Sequence, residues 1–97
     1  AGVVKGLEWT NPHPRLWVSV PDNAGGSQLW GIEGSAVTML VRAGWTRHFV
    51  NVGDHVQVTF FPLRDGRPGG FFYQVVFDDG RKFYFRPGSE GQAGAAP

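Results

Sequence analysis

The chain contains no cysteine, and this absence excludes several kinds of site at once. Disulfide bonds, cysteine-ligated zinc, iron–sulfur clusters and thiol nucleophiles all need that side chain. No run of about 20 apolar residues occurs, so no segment is predicted to span a bilayer as a helix. Nine basic and eight acidic residues leave a formal net charge of +1. We therefore expect no nucleic-acid partner, because phosphate binding needs several uncompensated cations.

Turn-forming and aromatic residues are abundant instead. The 97 residues include 15 glycines, 7 prolines, 4 tryptophans, 8 phenylalanines and 2 tyrosines. A chain of this length builds one hydrophobic core, so we expect a single domain over residues 1–86. Residues 87–97 have no large apolar side chain and are predicted to form a flexible tail. The start at Ala1, without a methionine, is typical of a processed exported protein or of a trimmed chain.

Strand-like segments rich in Val, Phe and Tyr alternate with Gly, Pro and Asp turns. The pattern predicts six strands, at residues 3–9, 16–20, 28–33, 55–61, 71–77 and 81–85. One helix of about nine residues is predicted between the third and fourth strands. Ser35 is expected to cap it, Leu40 and Val41 to pack inward, and Gly44 to end it.

Three strands, a short helix and further strands follow the order of an OB-fold. The predicted fold is therefore all-β, an OB-like barrel of five to six strands with one short helix between strands 3 and 4. An SH3-like barrel or a split-sheet α+β domain has a compatible order, because periodicity does not encode which strands pair.

No set of residues with the spacing of an active site is found in the sequence. Glu8 and Glu33 each lie near a tryptophan, but a two-carboxylate hydrolase usually needs a larger cleft than a small barrel offers. The glycine-rich residues 66–70 open no helix, so they lack the phosphate-binding arrangement of a P-loop. We predict that the protein is not an enzyme and needs no cofactor.

Histidine is the remaining metal ligand to consider. His13, His48 and His55 are far apart in the sequence and lack the short spacing of zinc sites. We therefore predict no metal site from spacing. A copper or zinc site assembled by folding stays a second alternative for the function.

The best binding candidates are exposed aromatic and guanidinium groups, because these dominate many interfaces. Arg64 and Arg67 project from a glycine-rich loop, where they can bind a carboxylate or phosphate. The full set of predicted partner-binding residues is Trp17, Trp30, Arg64, Arg67 and Tyr84.

Four motifs, taken together, resemble one known family. They are Glu8-Trp9-Thr10-Asn11-Pro12-His13, Gly44-Trp45-Thr46-Arg47, Gly53-Asp54-His55-Val56-Gln57-Val58 and Pro62-Leu63-Arg64-Asp65-Gly66-Arg67-Pro68-Gly69-Gly70. The family is an uncharacterised group of small exported bacterial proteins, a domain of unknown function with an OB-like barrel. The resemblance implies a periplasmic or extracellular location, and it implies no activity, substrate or cofactor.

Two functional hypotheses follow besides metal binding. The first is a non-catalytic periplasmic or extracellular protein-binding module, either an accessory subunit of an envelope assembly or a unit of a surface structure. A protein partner or self-assembly is then expected. The second is an OB module that binds an oligosaccharide, or less readily an oligonucleotide, on a face lined by Arg15, Trp17 and Trp30.

Overall fold

Six strands and one short helix make up the part of the chain that the structure, a computed structural model, describes: residues 1–10, 12–46 and 48–84. The elements are β1 (Gly2–Glu8), β2 (Arg15–Pro21), β3 (Ser27–Glu33), α1 (Val37–Arg42), β4 (His55–Pro62), β5 (Gly69–Phe77) and β6 (Lys82–Tyr84). Each predicted strand is found within two residues of its predicted bounds, except that the predicted end of the sixth strand, residue 85, lies outside the described residues. The predicted tail, residues 87–97, and residues 85 and 86 lie outside the described residues.

The strands form a closed barrel. Neighbouring strands in the order β3-β2-β1-β4-β5-β6 pair antiparallel, and β3 then pairs with β5 in parallel to close the ring. Five strands therefore complete the barrel and β6 is an addition to it. This pairing confirms the all-β OB-like prediction over the SH3-like and α+β alternatives, with α1 between β3 and β4.

The pairing of β3 with β5, which closes the barrel, depends on two glycines of β5. A β carbon built on Gly69 would stand 2.8 Å from the carbonyl oxygen of Gly31, and one built on Gly70 would overlap the carbonyl oxygen of Phe61. Real β carbons do not approach that closely, so only glycine lets β3, β4 and β5 come together here. The turn residues Pro68-Gly69-Gly70 thus have a second role, since they also close the barrel.

The core fills the barrel and one of its ends. Trp45 is fully buried, with ring centroids 4.7 Å from Phe83, 5.1 Å from Phe49 and 5.5 Å from Phe72. Its amide donates to the carbonyl of Leu40, so the indole is held at the end of α1. The buried apolar side chains are Val4, Leu16, Val18, Ile32, Leu40, Trp45, Val50, Val56, Phe72, Val75, Phe77 and Phe83.

The helix differs from its prediction at its start and in its length. It has six residues rather than about nine, and its N-cap is Ala36, without a side-chain cap bond. The prediction that Ser35 caps the helix was wrong. Ser35 precedes the N-cap and is buried, with 2% of its surface exposed. Its hydroxyl has no hydrogen-bond partner among the described residues. Leu40 packs inward as predicted, whereas Val41 is 49% exposed.

Arg81 fastens the β5–β6 hairpin to the rest of the barrel. Its Nε donates to Asp79 at 2.8 Å, and its two Nη groups donate to Asp54 and to the carbonyl of Phe49. The guanidinium carbon lies 4.2 Å from the ring centroid of Phe77. One side chain therefore links the turn before β6 with the loop before β4.

No membrane-spanning helix is found in residues 1–10, 12–46 and 48–84. The helix found there, α1, has six residues, whereas a transmembrane helix needs about 20.

Candidate binding groove

An open groove of about 630 Å³ lies on the outside of the barrel, where β2 and β3 face the loop between β4 and β5. We refer to it as the β2–β3 groove. One wall is the strand face, and the other is the loop from Leu63 to Pro68. The whole groove is lined by Arg15, Trp17, Gly31, Glu33, Phe61, Pro62, Leu63, Arg64, Arg67, Pro68, Gly69, Gly70 and Phe71.

Strand alternation puts these side chains outside. Leu16 and Val18 are buried, so Arg15 and Trp17 on the same strand project to the other face. Ile32 is likewise buried, which places its neighbours Gly31 and Glu33 outward. Because β2 and β3 are paired with Trp17 opposite Gly31 and Arg15 opposite Glu33, these four residues share one patch.

Trp17 is fixed against the strand face by two contacts. Its Nε1 donates to a carboxylate oxygen of Glu8 on β1 at 2.7 Å. Its ring lies so close to the backbone of Gly31 that a β carbon there would meet the indole at 2.6 Å. With its polar atom occupied and its ring against the strand, the indole of Trp17 is held in one orientation in the groove.

Arg15 completes the strand wall. Its Nη2 forms a salt bridge of 2.9 Å with Glu33, and its guanidinium carbon is 5.7 Å from the ring centroid of Trp17. The side chains of Arg15 and Glu33 are 43% and 41% exposed, so the pair is open to solvent and contributes little to stability. A ligand can therefore separate Arg15 from Glu33 at a small cost in free energy.

The loop wall is stiffened by an Asp-Gly-Arg turn. The Arg67 amide donates to Oδ1 of Asp65 at 3.1 Å, and the Arg67 Nε donates to Oδ2 at 2.6 Å. The backbone amide of Arg67, and after it the guanidinium, holds the pKa of Asp65 below its ordinary value. Gly66 adopts φ +82°, which favours glycine. The turn therefore has a defined shape although it is exposed.

Arg64 differs from the other two arginines of the groove. Arg15 faces Glu33 and Arg67 faces Asp65, whereas Arg64 forms no ion pair within the described ranges. Arg64 is exposed and lines the groove. Its guanidinium can thus bind an incoming carboxylate without first giving up a partner.

A row of aromatic rings, which we term the aromatic strip, continues from the groove across β4, β5 and β6. Phe61 is 51% exposed and lines the groove, and its ring centroid lies 4.9 Å from that of Tyr73. Tyr73 in turn contacts Tyr84 on β6 at 6.4 Å. Groove and strip form one connected surface.

The predicted partner-binding residues therefore do not all meet. Trp17, Arg64 and Arg67 come together at the groove with Arg15, and Tyr84 ends the aromatic strip. Trp30 lies elsewhere. It packs on Phe60 with 5.6 Å between ring centroids and lines a separate apolar cavity of about 110 Å³.

The sequence did not predict Phe61 as part of the binding surface, and its position next to Phe60 explains why. Phe60 and Phe61 are neighbours on β4, so one ring must face the interior and the other the outside. Phe60 faces the cavity with Trp30, and Phe61 joins the groove to the aromatic strip. The run of two phenylalanines was the available signal, but it did not say which of them is outside.

The three histidines lie in different parts of the chain, with His13 between β1 and β2, His48 between α1 and β4, and His55 in β4. His13 forms a hydrogen bond of 3.1 Å between its Nδ1 and the carbonyl of Gly34, and His55 begins β4. Among the residues that the structure describes, no group of three or more His, Cys, Asp or Glu side chains has the proximity of a metal site. Glu8 and Glu33 are engaged with Trp17 and Arg15.

Fold and groove together define a small OB-like barrel with an aromatic and arginine-lined groove on its second and third strands. The chain belongs to the family of unknown function DUF6152, which it matches over residues 1–72. The matched region contains every residue that lines the groove. No curated protein and no solved structure matches the chain. The family assignment made from the four motifs is thus confirmed as a family without known function, and export and bacterial origin stay predictions.

Proposed function

We propose that this protein is a non-catalytic protein-binding module and that a partner protein binds in the β2–β3 groove. The observation that carries the proposal is the convergence of Trp17, Arg64, Arg67 and Phe61, from distant parts of the chain, on one groove. Tryptophan, tyrosine and arginine supply much of the binding energy at protein interfaces. The adjoining aromatic strip extends this surface beyond the groove.

Preorganisation supports this role. Trp17 is held by Glu8 and by the backbone of Gly31, and the loop opposite is shaped by the bonds between Asp65 and Arg67. Side chains that are already ordered lose less conformational entropy when a partner binds. The groove is therefore suited to binding without rearrangement of the barrel.

We further propose that the module works in the periplasm or outside the cell, as an accessory subunit of an envelope assembly or as a unit of a surface structure. The resemblance of its motifs to small exported proteins supports this location. Fractionation of the native host, with the protein detected by antibody, tests it. Recovery in the cytoplasmic fraction alone would contradict the proposed location.

The binding role is tested by gentle isolation of the protein from its native host, followed by native mass spectrometry. We compare the wild type with the double variant Arg64→Glu/Arg67→Glu, and use Arg42→Glu as the matched control. Arg42 is exposed on α1 and does not line the groove. The wild type and the control should carry a second polypeptide that the double variant lacks.

Two outcomes contradict the proposal. One is a bare 10.6 kDa monomer from every preparation. The other is a complex whose yield does not change when both loop arginines are reversed, because such a partner would bind somewhere else.

Oligosaccharide binding is a second candidate, and the placement of Trp17 favours it. Trp17 is held against the outer strand face and lines the groove, indole rings can stack on sugar rings, and OB barrels bind oligosaccharides on this face. Titration of tryptophan fluorescence with defined oligosaccharides tests it, with Trp17→Phe as the control. A signal that does not change with any sugar argues against this candidate.

A further inference from the structure

One edge of β3 is only half covered. Along its whole length β3 pairs with β2, from Ser27 opposite Pro21 to Glu33 opposite Arg15. On its other edge β3 pairs with β5 only from Gly31 onward. Within the described residues, the first half of this edge, from residue 27 to residue 30, has no strand beside it. We term this segment the open edge of β3.

The backbone groups that face the open edge can be identified. The amide of Gly31 donates to the carbonyl of Pro68 at 3.2 Å, so Gly31 directs its hydrogen-bonding groups towards the β5 side. Backbone groups alternate sides along a strand. Ser27 and Leu29 therefore direct their amides and carbonyls into the open edge, whereas Gln28 and Trp30 bond to β2.

This edge lacks the features that usually protect one. Exposed strand edges are commonly blocked by charged side chains, prolines or bulges. The open edge reads Ser-Gln-Leu-Trp, without charge or proline, and Leu29 is 49% exposed. Unpaired backbone groups at strand spacing form a template for another extended chain.

The open edge leads into the β2–β3 groove. Gly31 follows Leu29 by two residues, which is about 7 Å along a strand, and Gly31 both lines the groove and bonds to the loop wall through Pro68. A chain paired with Leu29 would therefore reach the groove within a few residues. There it would meet Arg64, whose guanidinium has no carboxylate partner among the described residues.

We propose that the partner presents an extended polypeptide segment containing an acidic residue, and that this segment adds to the open edge of β3 as a further strand and places its carboxylate at Arg64. This inference rests on the proposed protein-binding function and names the form of the bound partner. A polypeptide is the occupant that fits, because its backbone carries donors and acceptors at the spacing of Ser27 and Leu29. The acidic residue complements the unpaired guanidinium.

The test uses a displayed library of random dodecapeptides, selected on the wild-type protein. Affinities of the selected peptides are then measured for Leu29→Pro, which removes the outward amide together with the leucine side chain, and for Leu29→Ala, which removes the side chain but keeps the amide. Leu29→Pro should weaken binding about tenfold or more, and Leu29→Ala about threefold or less, since the lost groups are backbone donors. Arg64→Glu should remove the preference for an acidic residue, and Arg42→Glu should leave it.

A second measurement does not depend on Leu29→Pro being folded. In the wild type, hydrogen exchange of the Ser27 and Leu29 amides followed by NMR should slow when a selected peptide is added, because both amides become donors to it. The Gln28 amide, already bonded to β2, serves as the internal reference.

The outcomes separate this inference from the function on which it rests. Selected peptides that bind Leu29→Pro as well as the wild type, but not Arg64→Glu/Arg67→Glu, overturn strand addition and leave groove binding intact. Peptides selected without an acidic residue overturn the part assigned to Arg64. Wild-type protein that dimerises through the open edge, with Leu29→Pro monomeric, overturns the inference in favour of a second copy. Failure to select any peptide, together with a bare monomer from the native host, overturns both proposals.

Discussion

Trp17 lies against the backbone of Gly31 so closely that a β carbon built on the glycine would stand 2.6 Å from Cζ3 of the indole. The two residues are direct cross-strand neighbours on β2 and β3. A glycine in a strand normally weakens it, and an aromatic ring laid over the glycine restores buried area. The pair therefore stabilises the strand face and holds the indole in place in the groove.

Replacement of Gly31 by alanine should displace the indole of Trp17 and lower the free energy of unfolding by about 1–3 kcal/mol, the usual cost of overpacking. Urea unfolding followed by tryptophan fluorescence measures it. Gly6→Ala is the matched control on the other side of the ring, because a β carbon there would lie 3.9 Å from Cδ1 of Trp17, an ordinary contact. Equal losses in both variants would mean that ring displacement is not the cause.

Two turns of identical local structure should respond differently to the loss of their arginine. Arg81→Gln removes the contacts with Asp54, Phe49 and Phe77, so thermal unfolding should shift down by about 5 °C or more. Arg67→Gln removes a bond between side chains that are 73% and 53% exposed, and Tm should stay unchanged within error. Differential scanning calorimetry decides, and a similar shift in both variants would contradict the anchoring role of Arg81.

The stability of the fold should respond to acid through Asp79. The backbone amide of Arg81, and also its guanidinium, hold the pKa of Asp79 below its ordinary value, and the pKa of Asp65 is lowered by Arg67 in the same way. A lowered native-state pKa contributes stability above the ordinary aspartate pKa of about 3.9, and this contribution is lost as the pH falls through the native pKa.

NMR titration of the carboxyl carbons should therefore show Asp65 and Asp79 with midpoints below about 3.9. Arg81→Gln should raise the midpoint of Asp79 part of the way, because the backbone amide at residue 81 still donates to the carboxylate. The midpoint of Asp65 should not change. An unchanged Asp79 midpoint in this variant would show that the guanidinium does not act on the carboxylate.

Proline substitutions at residues 28 and 29 of β3 should differ in their effect on stability, because the Gln28 amide is bonded to β2 and the Leu29 amide faces the open edge. Gln28→Pro removes an amide that bonds to β2 and should lower the free energy of unfolding by about 1–3 kcal/mol. Leu29→Pro removes an outward amide and should change it by about 0.5 kcal/mol or less. Chemical denaturation of both variants gives the comparison. Equal destabilisation would mean that the Leu29 amide is bonded in the folded protein.

Much of the fold could be predicted from the sequence. The alternation of Val56 with its polar neighbours, and of Leu16 and Val18 with Arg15 and Trp17, predicted β4 and β2 because one face of each strand is buried and the other is not. The start of α1 could not be predicted in the same way. Ser35 has the chemistry of a cap, but the chain enters the barrel end there and buries it.

The groove could be predicted only in part. Trp17, Arg64 and Arg67 were expected at a binding surface, and the structure brings them together with Arg15. Trp30 was expected on the same face as Trp17 and points into the barrel instead. The register between β2 and β3 places Gly31 opposite Trp17, on the outer face. Trp30 precedes Gly31 on β3, and because side chains alternate faces along a strand, Trp30 faces the interior.

The sequence by itself determined which segments form strands and the local form of the turns. Asp65-Gly66-Arg67 and Asp79-Gly80-Arg81 show this, since both form the same amide and guanidinium bonds to their aspartate. Only the tertiary structure decided that Arg67 stays in solvent beside the groove while Arg81 reaches Asp54 and Phe77. Turn geometry depends on residues that are adjacent in the chain, whereas those contacts depend on how β4, β5 and the closed barrel bring distant residues together.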